Sequence, residues 1–216
     1  MKAVCKDPGG VPPNWGFYMG DEVKRRRYCK FCNVWKPDRT HHCSVCGRCI
    51  LNMDHHCPWI NNCVGFYNRK FFIQLLIYSL ICLLFVAIQG LHYLFIYSMA
   101  NVSNELEAAI VFQYIYVCLM VFISLVLLFT LIPFLKFHLI LVLKNLTTIE
   151  NMDSSNREHR RFDLGIKRNI TQVFGTNALC WLTPCQIQSS RPAGDGVRWH
   201  MHYTSASDED LEHDLR

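Results

Sequence analysis

Between Lys70 and Lys136 the chain has no lysine or arginine, and within that gap two blocks, Phe71 to Ser98 and Ala109 to Leu135, have no charged residue at all. A soluble core helix is the alternative for each, but two uncharged blocks of this length in one small chain argue against it. Each is longer than the roughly 20 apolar residues a helix needs to cross a bilayer, with length left for some tilt. No secretory leader is expected in this start. The start is polar and holds Pro8, Gly9, Gly10, Pro12, Pro13 and Gly16, with no apolar stretch. Residues 1–28 therefore read as an irregular segment, closed by the basic string Lys24-Arg25-Arg26-Arg27, which suits anionic lipid. Net charge is scarce as well. A formal +5 over 216 residues, together with two membrane spans, argues against a nucleic-acid partner.

The placement of charge says more than its sum. Arg69 and Lys70 precede the first block, Lys136 and Lys144 follow the second, and the loop between holds Glu105 and Glu107 without a basic residue. The positive-inside rule then puts both termini in the cytosol and the loop, residues 99–108, on the lumenal or extracellular side. That loop contains a glycosylation sequon, Asn101-Val102-Ser103, close to the membrane. Spans are expected over 71–98 and 109–135, with Pro133 kinking or ending the second. Phe71, Phe72, Tyr93 and Tyr97 read as lipid-facing or interfacial. Residues 138–196 form a cytosolic segment that keeps apolar residues such as Phe162 and Phe174. Residues 197–216 read as an acidic, disordered tail. Cys5, Cys180 and Cys185 are cytosolic, near the membrane, and open to acylation.

What is abundant is cysteine and histidine, 12 and 10 of them, with seven of the cysteines packed between Cys29 and Cys63. Such a cluster is either a disulfide framework or a metal site. A cytosolic location is reducing, which favours zinc. The candidate ligands are Cys29, Cys32, Cys43, Cys46, Cys49, Cys57 and Cys63 with His41, His42, His55 and His56, eleven in all. Two closed sites of four use eight of them and leave three spare. The Cys-x-x-Cys pairs 29/32, 43/46 and 46/49 are strong knuckle signals. Residues 29–68 have too few apolar residues for a core of their own, so metal would have to supply their stability. Spacing alone does not say which three are spare. Asp54-His55-His56-Cys57 does hold the three parts of an activated nucleophile, a thiol, a base and an acid to orient the base. It is equally readable as three ligands and a neighbour.

The run from Tyr28 to Gly65 resembles the DHHC family of protein S-acyltransferases (palmitoyltransferases). It contains Lys36-Pro37-Asp38-Arg39-Thr40-His41-His42-Cys43 and Asp54-His55-His56-Cys57-Pro58-Trp59-Ile60-Asn61-Asn62-Cys63. Thr147-Thr148-Ile149-Glu150 resembles that family's Thr-Thr-x-Glu motif, and the segment around Asn169 resembles its conserved C-terminal turn. The resemblance implies a membrane α-helical protein with a small cytosolic double-zinc domain. It implies one structural zinc on Cys29, Cys32, His42 and Cys49 and a second on Cys43, Cys46, His56 and Cys63. It implies Cys57 as nucleophile, His55 as general base and Asp54 as its orienting acid. Arg27, Lys36, Arg39, His41 and Asn169 fall at positions that face coenzyme A. The implied activity moves a fatty acyl group from acyl-CoA, through an acyl-cysteine intermediate, to cysteines of membrane-associated proteins at the cytosolic face. Such proteins reside in the endomembrane system or plasma membrane. Asp7-Pro8-Gly9-Gly10-Val11-Pro12-Pro13 resembles the stretch after the family's second helix, so the expectation is a chain lacking the first two of four membrane helices. An incomplete enzyme, serving as a membrane adaptor through its zinc module, is the competing expectation.

Overall fold

A computed structural model describes residues 1–16, 27–100, 108–153, 161–185 and 187–200. Lys24, Arg25 and Arg26, most of the loop with its sequon, and the acidic end from 201 onward lie outside these residues.

The chain divides into two compact units, Met1–Phe72 with His138–Arg216, and Ile73–Phe137. The first unit has almost no regular structure of any length. After a one-turn helix α1 (Lys2–Cys5) come six strands of two or three residues: β1 (Tyr28–Cys29), β2 (Val34–Trp35), β3 (His41–Cys43), β4 (Arg48–Ile50), β5 (His55–Cys57) and β6 (Asn62–Val64). They pair as three antiparallel hairpins, β1–β2, β3–β4 and β5–β6. Strands this short bury little, and isolated hairpins are marginal in water. The apolar groups near them are correspondingly few. Ile50 and Met53 pack with Cys43 and Cys63, and Leu51, Phe66 and Val197 form a second small cluster. Gly65 is where the hairpins close on the N-terminal segment: a Cβ there would lie 2.7 Å from Ile50 Cγ2 and 2.9 Å from the Leu51 carbonyl. The C-terminal part of this unit supplies α4 (Thr148–Met152) and α5 (Ile166–Phe174).

The second unit is two helices. The helix α2 runs over Arg69–Ala100 and α3 over Ala108–Leu143. Both outrun the expected spans, and α3 continues through Pro133 to Leu143. Proline at that position removes one backbone donor without ending the helix. The most apolar 18-residue stretches within Arg69–Met99 and Ile110–Leu143 have mean hydropathy 2.7 and 2.9. Most of their large side chains face outward, with Phe85 63 %, Phe112 74 % and Phe129 82 % exposed. A soluble core helix would bury those rings, whereas a bilayer covers them. The two helices meet at small residues. A Cβ on Gly90 would sit 2.3 Å from Val121, and Ala87 and Ser124 are buried, the close approach by which helices associate in lipid.

Candidate active site and metal centres

A strand alternates its faces, and the hairpins use that alternation to sort ligands. In β3, His42 and Cys43 are neighbours and therefore point apart. His42 joins Cys29, Cys32 and Cys49, while Cys43 joins Cys46, His56 and Cys63. Each tetrad combines a Cys-x-x-Cys knuckle with a pair facing across a hairpin, His42↔Cys49 in one and His56↔Cys63 in the other. The turn of the β3–β4 hairpin carries the second tetrad's knuckle, so the two centres share one hairpin. The donor atoms of each set lie within 4.8 Å of one another. Tetrahedral zinc with Zn–S about 2.3 Å and Zn–N about 2.05 Å has edges of about 3.8 Å (S–S) and 3.5 Å (S–N). His56 Nδ1 lies 3.6, 3.4 and 3.6 Å from the sulfurs of Cys43, Cys46 and Cys63, and Cys46 is 3.5 Å from Cys63. In the other set Cys32 is 3.2 Å from His42. Both Cys3His clusters fit a closed structural ion, and such an ion would supply the stability that the short strands lack.

The same alternation on β5 turns His56 toward its tetrad and leaves His55 and Cys57 on the opposite face. Asp54 is fully buried, and its Oδ2 lies 2.7 Å from His55 Nδ1. Four other groups converge on that carboxylate. The Thr148 N–H donates to Oδ1 at 3.0 Å and the Thr148 hydroxyl to Oδ2 at 2.8 Å. Arg69 lies 3.4 Å from Oδ1 and His138 Nδ1 3.8 Å from Oδ2. Burial alone would raise the Asp54 pKa, but Arg69 and the His55 hydrogen bond outweigh it and hold the carboxyl well below its usual range. Asp54 thus holds the His55 ring through Nδ1. Phe72 meets both imidazoles edge-on, 5.1 Å from His55 and 5.1 Å from His138. Phe71 and Phe72 are buried, not lipid-facing as their positions suggested, because the first turn of α2 packs on the hairpins.

The residues expected near coenzyme A separate into two groups. Arg27, Lys36 and His41 stay together and are half-buried. The Lys36 N–H donates to the Arg27 carbonyl at 2.9 Å, and burial, then the Arg27 and Lys36 charges, lower the His41 pKa below its ordinary value. Arg27 also pairs with Asp38. Arg39 and Asn169 are instead in the interior. The Arg39 guanidinium donates to Glu150 Oε1 and Oε2 at 2.7 and 2.8 Å and to the side chain and carbonyl of Asn145 at 3.0 and 2.7 Å. It is also stacked over Phe162 and Trp199, and these bonds use four of the five guanidinium N–H donors. Asn169 ties the Leu143 carbonyl, at the end of α3, to Asp163 and the Leu164 N–H at 2.7, 2.6 and 3.0 Å. The Thr-Thr-x-Glu run works as a clamp. Thr147 caps α4 and forms a capping box with Glu150, Thr148 holds Asp54, and Glu150 holds Arg39.

A DHHC palmitoyltransferase family model matches residues 22–155. Palmitoyltransferase ZDHHC15 of Rattus norvegicus is 41 % identical over 189 residues, 86 % of this chain and 53 % of its own length. Palmitoyltransferase ZDHHC20 of Bos taurus is 46 % identical over 183 residues, 83 % of this chain and 47 % of its own. The human ZDHHC20 is 43 % identical over the same length. The chain belongs to the DHHC palmitoyltransferase family. It spans about half the length of the curated relatives it matches. With its two long apolar helices it is an integral membrane protein. The DHHC sequence itself is the strand β5 with the residue before it, which explains why one tetrapeptide carries both a member of a Cys3His tetrad and a buried acid.

Sequence reasoning missed two residues beside Asp54 and one that holds Arg39. His138 follows Lys136 within an apolar run, and an ionisable residue there is a functional signal in its own right. Arg69 was read only as a flanking positive charge, yet it is buried, donating to the Leu146 carbonyl at 2.6 Å. Asn145, which holds Arg39, carries no recognisable signal beyond its place ahead of Thr147.

Proposed function

We propose that this chain is a zinc-holding protein S-acyltransferase with Cys57 as the acyl carrier. The observation that carries the reading is the Asp54–His55 pair on the strand face that also carries Cys57. His55 takes the proton from the Cys57 thiol through Nε2, and the thiolate attacks the thioester carbonyl of a fatty acyl-CoA. The carbon–sulfur bond to CoA breaks, the leaving thiolate receives the proton from His55, and the acyl group remains as a thioester on Cys57. In the second half His55 deprotonates a cysteine of a membrane-associated protein, that sulfur attacks the acyl-enzyme, and Cys57 recovers its proton. Zinc, when bound, supplies stability to the hairpins, since both ligand sets are closed. Arg27, Lys36 and His41 receive the CoA head group, whose phosphates suit that cluster, while Arg39 and Asn169 brace the site from inside. The orientation that fits is both termini in the cytosol, where thiols stay reduced.

The test is intact-protein mass spectrometry of the purified chain after exposure to palmitoyl-CoA. One acyl group, removed by neutral hydroxylamine and absent in Cys57→Ser, is expected. Acylation that persists in Cys57→Ser with equal yield would remove Cys57 from the role.

A further inference from the structure

At the first turn of α2 a cavity of about 270 Å³ is lined by Lys6, Tyr67, Lys70, Phe71, Ser190 and Arg191 among others. Three of these are cations and none is an acid. Lys70 is only 3 % exposed, and its Nζ reaches the Ser190 carbonyl at a long 3.5 Å. Besides that carbonyl, the thiols of Cys185 and Cys180 act on the ammonium, and a buried ammonium so placed, with no carboxylate paired to it, gains from an anion that joins it. No ion pair to Lys6, Lys70 or Arg191 occurs among the described residues. The nearby acids are occupied: Asp7 pairs with Arg48 at 2.9 Å, and Asp195 accepts the N–H groups of Val197 and Arg198. A fourth cation, Lys2, lies over the Phe71 ring at 5.7 Å.

We propose that this cavity binds a phosphate group. A dianion has the charge to satisfy Lys70, Lys6 and Arg191 together, and charge-assisted bonds of this kind are the strong ones. The volume is several times the roughly 30 Å³ that one water occupies in the liquid, enough for a phosphate and the carbons that carry it. Lys70 is the second residue of the first apolar helix, and Tyr67 and Phe71 give the cavity an aromatic wall. An anionic phospholipid and free phosphate offer the same chemistry there. This cluster shares no residue with Arg27, Lys36 and His41, so the inference stands apart from the acyl-CoA reading.

The full chain in neutral detergent micelles is titrated by calorimetry with dioctanoyl phosphatidate, with inorganic phosphate, and with dioctanoylglycerol, which has the same tails without the phosphate. A phosphate-bearing probe is expected to bind saturably and the glycerolipid not to bind. Displacement of phosphatidate by inorganic phosphate marks a site for the group alone, and its failure marks a lipid site. Both support the proposal. Lys6→Gln with Arg191→Gln, at positions outside the catalytic strand and the metal tetrads, is expected to weaken binding about tenfold while metal content holds. The proposal falls if neither phosphate probe saturates, if dioctanoylglycerol binds equally well, or if the double variant binds as tightly as wild type.

Discussion

Replacing Arg39 by lysine keeps the charge and most of the length but removes the planar fork. In the structure the guanidinium makes four hydrogen bonds, two to the Glu150 carboxylate and two to Asn145, and is only 3 % exposed. An ammonium at the same point can keep a bond to Glu150 but cannot also reach the Asn145 carbonyl and side chain. Three of the four bonds with a charged donor are lost, and the Asn145 carbonyl is left without its donor. At about 1–2 kcal/mol for each, discounted because Glu150 is partly exposed, the loss is about 2–4 kcal/mol. The stacking over Phe162 and Trp199, at 4.6 and 4.4 Å, weakens too. The assay is the thermal unfolding midpoint of the purified chain in detergent, with palmitoyl-CoA affinity measured beside it. A clear drop in the midpoint with affinity per folded molecule unchanged is expected. An unchanged midpoint with affinity for palmitoyl-CoA about tenfold weaker would place the guanidinium on the CoA phosphates and refute the reasoning.

Other consequences are equally open to measurement. Burial alone would push the Glu150 carboxyl up, but Arg39 outweighs it and holds the pKa below the ordinary 4.5. A depressed carboxyl stabilises the folded state above that ordinary value and loses its contribution as pH falls through the folded one. The stability advantage of wild type over Glu150→Gln should therefore be complete at neutral pH and shrink under acid, and an advantage that grows on acidification would contradict this. Thr148→Val removes the hydroxyl at 2.8 Å from Asp54 and should slow acylation of Cys57 about tenfold, a loss of about 1.4 kcal/mol, read from single-turnover kinetics with metal content unchanged. Cys49→Ser should cost both metal ions and not one, because its hairpin carries Cys43 and Cys46, and elemental analysis of the purified variant would show it. The Thr183 hydroxyl, 3.1 Å away, and then Cys180 draw the Cys185 thiol down to about 7, so the thiolate is present above that value and lost below it. Its alkylation rate should rise with a midpoint near there and fall in Thr183→Val.

The helices were legible because charge exclusion over so long a run has few other meanings. Their ends were not, since α3 continues past Pro133 on contacts that local composition does not reveal. The metal tetrads were legible only through resemblance. Spacing offered eleven donors for eight places, and what sorts them is strand alternation in β3 and β5, a property of three-residue strands too short to show a period. The Asp54–His55 contact could be suspected from adjacency, though adjacency alone left both residues open to other readings. The rest of the Asp54 environment could not, because Thr148 and His138 come from 94 and 84 positions further along the chain, by the numbering. Arg39 is the instructive case. Its match to a family position suggested a phosphate, and only the packing of Asn145, Glu150, Phe162 and Trp199 around it shows a guanidinium with four of its five donors already engaged.

The most direct test of the central claim is labelling in cells fed an alkyne-tagged palmitate, comparing wild type with Cys57→Ser while both retain two zinc ions. A hydroxylamine-sensitive label on wild type that Cys57→Ser loses is the predicted result. Absence of label from a wild-type chain that holds both ions would contradict it, and would leave the hairpins as a metal-braced binding module.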